Sequence, residues 1–296
     1  MIIGPFEITE PVPDLKEPHA LAIIPMWMDA GLSASMTMSL LEQTLGAQYL
    51  ARLRRPGEFF DFTRYRPTLS RQGDRSEVTL PNVSISSGSQ ADGHDFILLR
   101  LPEPNSMAEV YVDSIVDMLK NFGVKRYGLM GAVYDMMPYT RPLLVTGSGS
   151  SEGLNNALSD AGVASNDYEG PTTVLHLVGQ QMMQMGVETF SAVVHLPGYQ
   201  TPENDYRGEN KLMEIIGSIY GLPVPQEVVE KAKEQTDQFN ATAEQFLLQQ
   251  PQLRVLLKQL EDNYDARIKD KKEDIHLSPE VEKFLRELNT RFDQGS

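Results

Sequence analysis

Three short polar segments, each beside an apolar run, hold the residue types most able to do chemistry. Asp29 stands in Trp27-Met28-Asp29-Ala30-Gly31, Arg141 in the turn 135–142 together with Asp135 and Tyr139, and Glu169 in Tyr168-Glu169-Gly170-Pro171-Thr172. Two carboxylates and a guanidinium brought to one place can move protons, and they can equally form a structural ion-pair network. Trp27, Tyr139 and Tyr168 would wall a pocket for the first reading. Gly31 and its neighbours open a helix whose free backbone N–H groups can hold an anion. Asp29 would itself occupy that positive helix end, so the segment fits a cap, or an amine or hydroxyl ligand, better than a phosphate.

Other catalytic patterns are weaker. Gly149-Ser150-Ser151-Glu152-Gly153 matches the letters of a nucleophile elbow, yet a serine needs a histidine within reach. Only His176 and His195 precede His276 on that side of the chain, one in a predicted helix and one at a strand end. The glycines of 147–153 fall out of register with a dinucleotide loop. The five histidines (19, 94, 176, 195, 276) never occur at ligand spacing, so no metal site is expected, and no cofactor. With no cysteine, thiol catalysis, Cys-ligated metals and disulfides are excluded.

The elements that must position these residues alternate between two periodicities. Compact apolar runs at 19–25, 95–101, 127–133, 143–146 and 189–196 predict buried strands, and 48–53 a further one. Helical spacing recurs over 32–45, 110–119, 151–161, 175–185 and 209–220, with glycine stops at Gly46, Gly123, Gly162 and Gly186. Ser106 with Glu109 has the spacing of a capping box. Residues 76–80 and 83–87, split by Pro81-Asn82, predict a hairpin. Alternating strands and helices predict a three-layer α/β/α domain with a largely parallel sheet over residues 1–225. Beyond Leu222-Pro223-Val224-Pro225 the chain becomes strand-free and acidic. Residues 226–296 predict an all-helical extension of three amphipathic helices, the last opening at Ser278 and carrying an apolar stripe through Phe284, Leu285 and Leu288.

A net charge of −15, from 41 acidic and 26 basic residues of 296, predicts no nucleic-acid or anionic-membrane partner. No run approaches the apolar length of a membrane span and the first residues do not read as a signal peptide, so a cytoplasmic location is expected.

The ordered set Trp27-x-Asp29-Ala30-Gly31, Phe60-Asp61-Phe62 with Arg66-Pro67, Tyr139-Thr140-Arg141-Pro142 with Val145-Thr146-Gly147, and Tyr168-Glu169-Gly170-Pro171-Thr172 resembles the PAC2 family, the proteasome assembly chaperone 2-like proteins. It spans about residues 21–222. The resemblance implies an α/β/α sandwich similar to the purine nucleoside phosphorylase fold. It also implies self-association, a trimer among the options, and a role in binding or assembling another protein complex. A small-molecule-binding protein or a phosphorylase-like or ligase-like enzyme, using the edge around Asp29, Arg141 and Glu169, is the alternative. Proteasome-binding archaeal relatives end in a hydrophobic-Tyr-x signal, from which Phe292-Asp293-Gln294-Gly295-Ser296 departs.

Overall fold

In the computed structural model, which describes residues 1–73, 75–90, 93–166, 168–250 and 252–269, the apolar runs become strands of one ten-stranded sheet. In chain order the first strands are β1 (Ile2–Ile3), β2 (Phe6–Ile8), β3 (His19–Ile23) and β4 (Gln48–Leu53), with helix α1 (Ser33–Thr44) between the last two. Then come β5 (Thr68–Gln72), β6 (Arg75–Thr79), β7 (Ser84–Ser89), β8 (Asp95–Arg100) and α2 (Ala108–Asn121). They are followed by β9 (Arg126–Asp135), β10 (Leu144–Gly149), α3 (Glu152–Asp160), β11 (Ala164–Ser165), α4 (Val174–Gln184) and β12 (Glu188–Pro197). Helices α5 (Tyr206–Tyr220), α6 (Gln226–Gln249) and α7 (Leu253–Lys269) close the described chain. The predicted helix from Ser278 lies outside the described residues.

The strand order is β1-β2-β4-β7-β8-β3-β9-β12-β10-β11. Only β8, β3, β9 and β12 form a continuous parallel block; β10 pairs antiparallel with β12, and β1, β2, β4 and β7 extend the other side antiparallel. The largely parallel sheet expected from the alternation is thus confined to the centre. Those central strands are buried on both faces, as continuous runs such as Ala20, Leu21, Ala22 and Ile23 require. One core lies between the sheet and α2 and α4, the other between the sheet and α1, α3 and α5, which gives the three layers.

The hairpin falls elsewhere than predicted. β5 pairs with β6, while β7 inserts between β4 and β8. Burial decides this: every residue of β6 is exposed, whereas Ile85 to Gly88 of β7 are buried. Asn82 steers the departure, its side chain accepting from Leu53 N at 3.0 Å and donating to Leu53 O at 2.9 Å, as a strand partner would. The capping box also fails to form. Ser106 Oγ donates to Glu58 O, and Met107 enters α2 with a left-handed φ of 52°. Val110, expected inward, is 46% exposed.

After α5, the hairpin of α6 and α7 bends round the carboxyl edge of the parallel strands. α6 packs on α5 through Val228 and Ala232. α7 lies on the opposite face, because Tyr264 meets Leu144, whose strand neighbour Val145 points into the α5 core. Among the described residues no helix is long and apolar enough to cross a membrane.

Candidate functional site

The three polar segments reach the carboxyl edge, but they do not join. Asp29 follows β3, makes an isolated parallel bridge to Ala132, and accepts from Ser35 N at 2.9 Å and Ser35 Oγ at 2.6 Å. Its carboxylate therefore satisfies a donor in the first turn of α1, the capping role that the residue types allowed. The carbonyl of Gly31, at φ 55°, accepts from Asp205 N at 2.7 Å, and a Cβ at Gly31 would stand 2.5 Å from the Asp205 Cβ. The glycine lets the loop press against the start of α5. Trp27 is 73% exposed and faces solvent rather than a pocket.

Arg141 turns to α7 instead of to the acidic loops. Its Nε donates to Asp265 Oδ1 at 2.9 Å, its Nη2 to Asp265 Oδ2 at 2.9 Å, and its Nη1 to Glu261 Oε1 at 3.4 Å. Thr140 Oγ1 adds a bond to Glu261 Oε1 at 2.6 Å. The bidentate bond to Asp265, then the nearby charges, raise the guanidinium pKa further above its ordinary value. Replacing Arg141 by alanine should speed protease cleavage and amide exchange within residues 253–269 while leaving the melting of the sheet nearly unchanged. Hydrogen-exchange mass spectrometry checks this, and unaltered α7 protection would refute the latch.

Tyr168 is exposed and folds on its own loop, donating to Pro171 O at 3.2 Å. Glu169 is exposed, and no hydrogen bond or ion pair among the described residues involves it. Of the three aromatic candidates, Tyr139 lines the cavity enclosed by α6 and α7.

The closest polar constellation is one that local sequence does not show. His195 Nδ1 lies 2.8 Å from Asp135 Oδ2, Thr146 Oγ1 lies 2.9 Å from His195 Nε2, and Arg267 Nη1 donates to Asp135 Oδ2 at 3.0 Å. With its proton on Nδ1 facing the carboxylate, His195 accepts from the Thr146 hydroxyl. Burial works to raise the Asp135 pKa, but the hydrogen bond and electrostatic attraction of His195, with the charge and hydrogen bond of Arg267, outweigh it and hold the carboxyl well below the usual range. Acid, imidazole and hydroxyl in this order resemble a nucleophilic triad. Thr146, however, is paired on both sides, to Val193 of β12 and Ala164 of β11, so the backbone there serves the ladder rather than an oxyanion. What the chain of bonds visibly does is tie β10, β12 and β9 to α7. Asp135 and His195 are strand-end residues of ordinary types 60 positions apart, and only the β9–β12 pairing makes them neighbours.

The serines of the elbow-like run are used locally. Ser151 caps α3, accepting from Leu154 N at 3.3 Å and donating to Glu188 Oε1 at 3.0 Å, and Ser150 Oγ accepts from Thr189 N at 2.9 Å. Among the described residues no group of His, Asp and Glu could hold a metal ion.

A family model described as PAC2 family matches residues 23–243. Among solved structures, a PAC2 family protein from Streptomyces avermitilis superposes with a TM-score of 0.68 at 23% identity, covering 76% of this chain and 95% of that one. A proteasome-assembly chaperone homologue from Mycobacterium tuberculosis gives 0.67 at 20% identity, covering 75% and 94%. An archaeal proteasome activator from Pyrococcus furiosus gives 0.61 at 16%, covering 80% and 98%. No curated protein matches the sequence.

Proposed function

As this chain belongs to the PAC2 family, we propose that it is a non-catalytic, self-associating protein-interaction factor that helps assemble or engage another protein complex, as the names of its chaperone and activator relatives suggest. The observation that carries this reading is the surface of α4. Residues 170–187 contain no Asp, Glu, Lys or Arg, although the chain as a whole carries a net charge of −15. On that helix Leu177 is 42% and Met183 48% exposed, and Met107 and Val110 at the start of neighbouring α2 are 49% and 46% exposed. Gln181 Nε2 donates to Asp113 Oδ1 at 3.0 Å, which fixes α4 alongside α2. Uncharged, apolar, solvent-facing helix surface of this kind marks protein contact. Gln180 and Gln184 add amides that can pair with identical amides on another copy. By contrast, among the described residues no hydrogen bond or ion pair links Asp29, Arg141 and Glu169 to one another.

Mild crosslinking in the native host followed by affinity purification tests the proposal. A multisubunit partner should be recovered with the wild-type chain and lost with Leu177→Glu or Met183→Glu. Recovery of the chain alone, under every growth condition tried, would remove the assembly role.

A further inference from the structure

Residues 52–75 hold seven of the chain's 15 arginines and no lysine, against three acidic residues, in a protein whose net charge is −15. Two of these cations are engaged nearby, Arg52 Nε with Glu7 Oε2 and Arg55 Nη1 with Glu58 Oε1, each at 3.0 Å. Arg54, Arg64, Arg66, Arg71 and Arg75 are exposed, and their guanidinium groups make no hydrogen bond or ion pair among the described residues. Asp61, beside Arg64 and Arg66, accepts from Thr63 N at 2.8 Å. Beneath them the chain is fixed: Phe59 and Phe60 are buried, Tyr65 Oη donates to Glu103 O at 2.8 Å, and Asn105 N donates to Phe59 O at 2.8 Å.

From this base β5 and β6 rise as a two-stranded sheet with no third strand at either edge among the described residues. Thr68 to Arg71 and the whole of β6 are exposed, so neither face of the arm is covered. Leu69 and Val78 are cross-strand partners on one face, 61% and 60% exposed, with Leu80 two residues beyond. Arg71 stands next to that pair on the same face, and Arg75 with Glu77 on the other. A two-stranded ribbon bare on both faces is marginal in water and gains from a further strand. We infer that the β5–β6 arm and the arginines at its base dock an extended acidic segment of the partner protein, added as a third strand at an open edge of the arm. The inference rests on the interaction role proposed above and gives the partner its chemistry. Backbone groups of the segment pair with the edge, its apolar side chains extend the Leu69–Val78 face, and its acidic ends meet Arg64 and Arg66 at the base and Arg71 and Arg75 beside the turn. A nucleic acid fits less well, because the acidic remainder of the chain repels a polyanion and a nucleic acid cannot continue a β-ladder.

Fluorescence anisotropy of the full chain with the dye-labelled peptide Glu-Glu-Val-Thr-Val-Glu-Glu tests the inference. The peptide should bind, and more weakly as salt is raised. Versions with lysine for every glutamate, or proline for the threonine, should not bind. Arg64→Ala, Arg66→Ala, Arg71→Ala and Arg75→Ala should each weaken binding by roughly two- to fivefold, as exposed ion pairs do, and the four together should abolish it. Leu69→Thr and Val78→Thr, which keep strand-forming side chains, should weaken it as well. These positions lie outside both large cores, so the circular dichroism spectrum and melting temperature should be retained. No binding by the acidic peptide, equal binding by the lysine or proline version, tighter binding of a single-stranded oligothymidylate, or undiminished affinity in the fourfold variant overturns the inference. So does loss of self-association in that variant, which would assign the arm to another copy of the chain. Leu177→Glu should leave peptide binding intact. Recovery of a partner by a chain whose arm binds no peptide would remove the arm's role alone, and peptide binding without any recoverable partner would remove the assembly role alone.

Discussion

Replacing Asp205 by alanine is expected to destabilise the protein by roughly 3–5 kcal/mol, the loss that follows when one member of a buried ion pair is removed. Asp205 is fully buried and Arg207 is 8% exposed. The carboxylate accepts from Arg207 N at 3.1 Å, Arg207 Nε at 3.0 Å and Gly208 N at 3.3 Å, and also from Arg207 Nη2. It therefore caps α5 and neutralises a guanidinium at once. The far face of that guanidinium is covered by the Phe239 ring of α6, with Cζ 3.8 Å from the ring centroid. Alanine leaves the cation with nowhere to go, because α6 and the Gly31 loop close over it. Denaturant titration followed by circular dichroism measures the loss. Asp205→Asn, which keeps a capping oxygen, should lose less, and Asp205→Ala combined with Arg207→Met should recover much of the difference by removing the stranded charge. A loss below about 1 kcal/mol in Asp205→Ala would show that the pair is better solvated than its burial implies.

This pair explains why the Asp29 segment reads so well in sequence while its role does not. A strand, a polar turn and a helix were legible because period-two and period-3.6 patterns are local. The same locality made the Asp29 carboxylate recognisable as a helix cap. Its proximity to Asp205 through Gly31 was not legible, since it joins positions far apart in the chain. The partners of Arg141 are hidden from local sequence for the same reason. Its turn lies at the sheet edge, and its partners are Glu261 and Asp265, on a helix whose docking face no local pattern reveals. The misplaced hairpin is a different kind of error. Residues 76–79 and 84–87 are both extended, and only the burial of β7 and the side-chain pairing of Asn82 with Leu53 decide which strands become neighbours.

The helical extension is likewise more than an appendage. Tyr264 fills the edge core with Met137 and Leu144, and Arg267 reaches Asp135 behind it. The turn from Asp135 to Pro142 thus faces α7, with the cavity at Tyr139 bordered by Leu253 to Leu260, on the amino-terminal side of both ion-pair anchors. A change that loosens either anchor should be felt at the cavity before it is felt in the parallel strands, which are held by their own ladders and by two separate cores.

Acidification should weaken the fold well above the range in which carboxylates titrate, and His19 is the reason. It is 5% exposed at the amino end of β3, stacked on His94 with ring centroids 4.0 Å apart, and its Nδ1 has no hydrogen-bond partner among the described residues. Burial, then the neighbouring His94 and Arg126, lower its pKa to about 4, with Glu188 opposing. The unfolded chain holds this group near its ordinary value of about 6.5. Below that value the unfolded state binds a proton that the native state refuses. Stability is therefore full above about pH 6.5 and declines as pH falls toward 4, by a total on the order of 3 kcal/mol. Asp135 acts in a lower window: its depressed pKa gives stability that is present above the ordinary carboxylate value of about 4 and lost only beneath it. Denaturation midpoints measured at steps between neutral pH and about pH 4.5 separate the two, since of this pair His19 changes there and Asp135 does not. His19→Leu should flatten that slope while Asp135→Asn leaves it in place. A slope unchanged by His19→Leu would mean that the imidazole takes up its proton in the folded protein, with Glu188 rather than burial setting its charge.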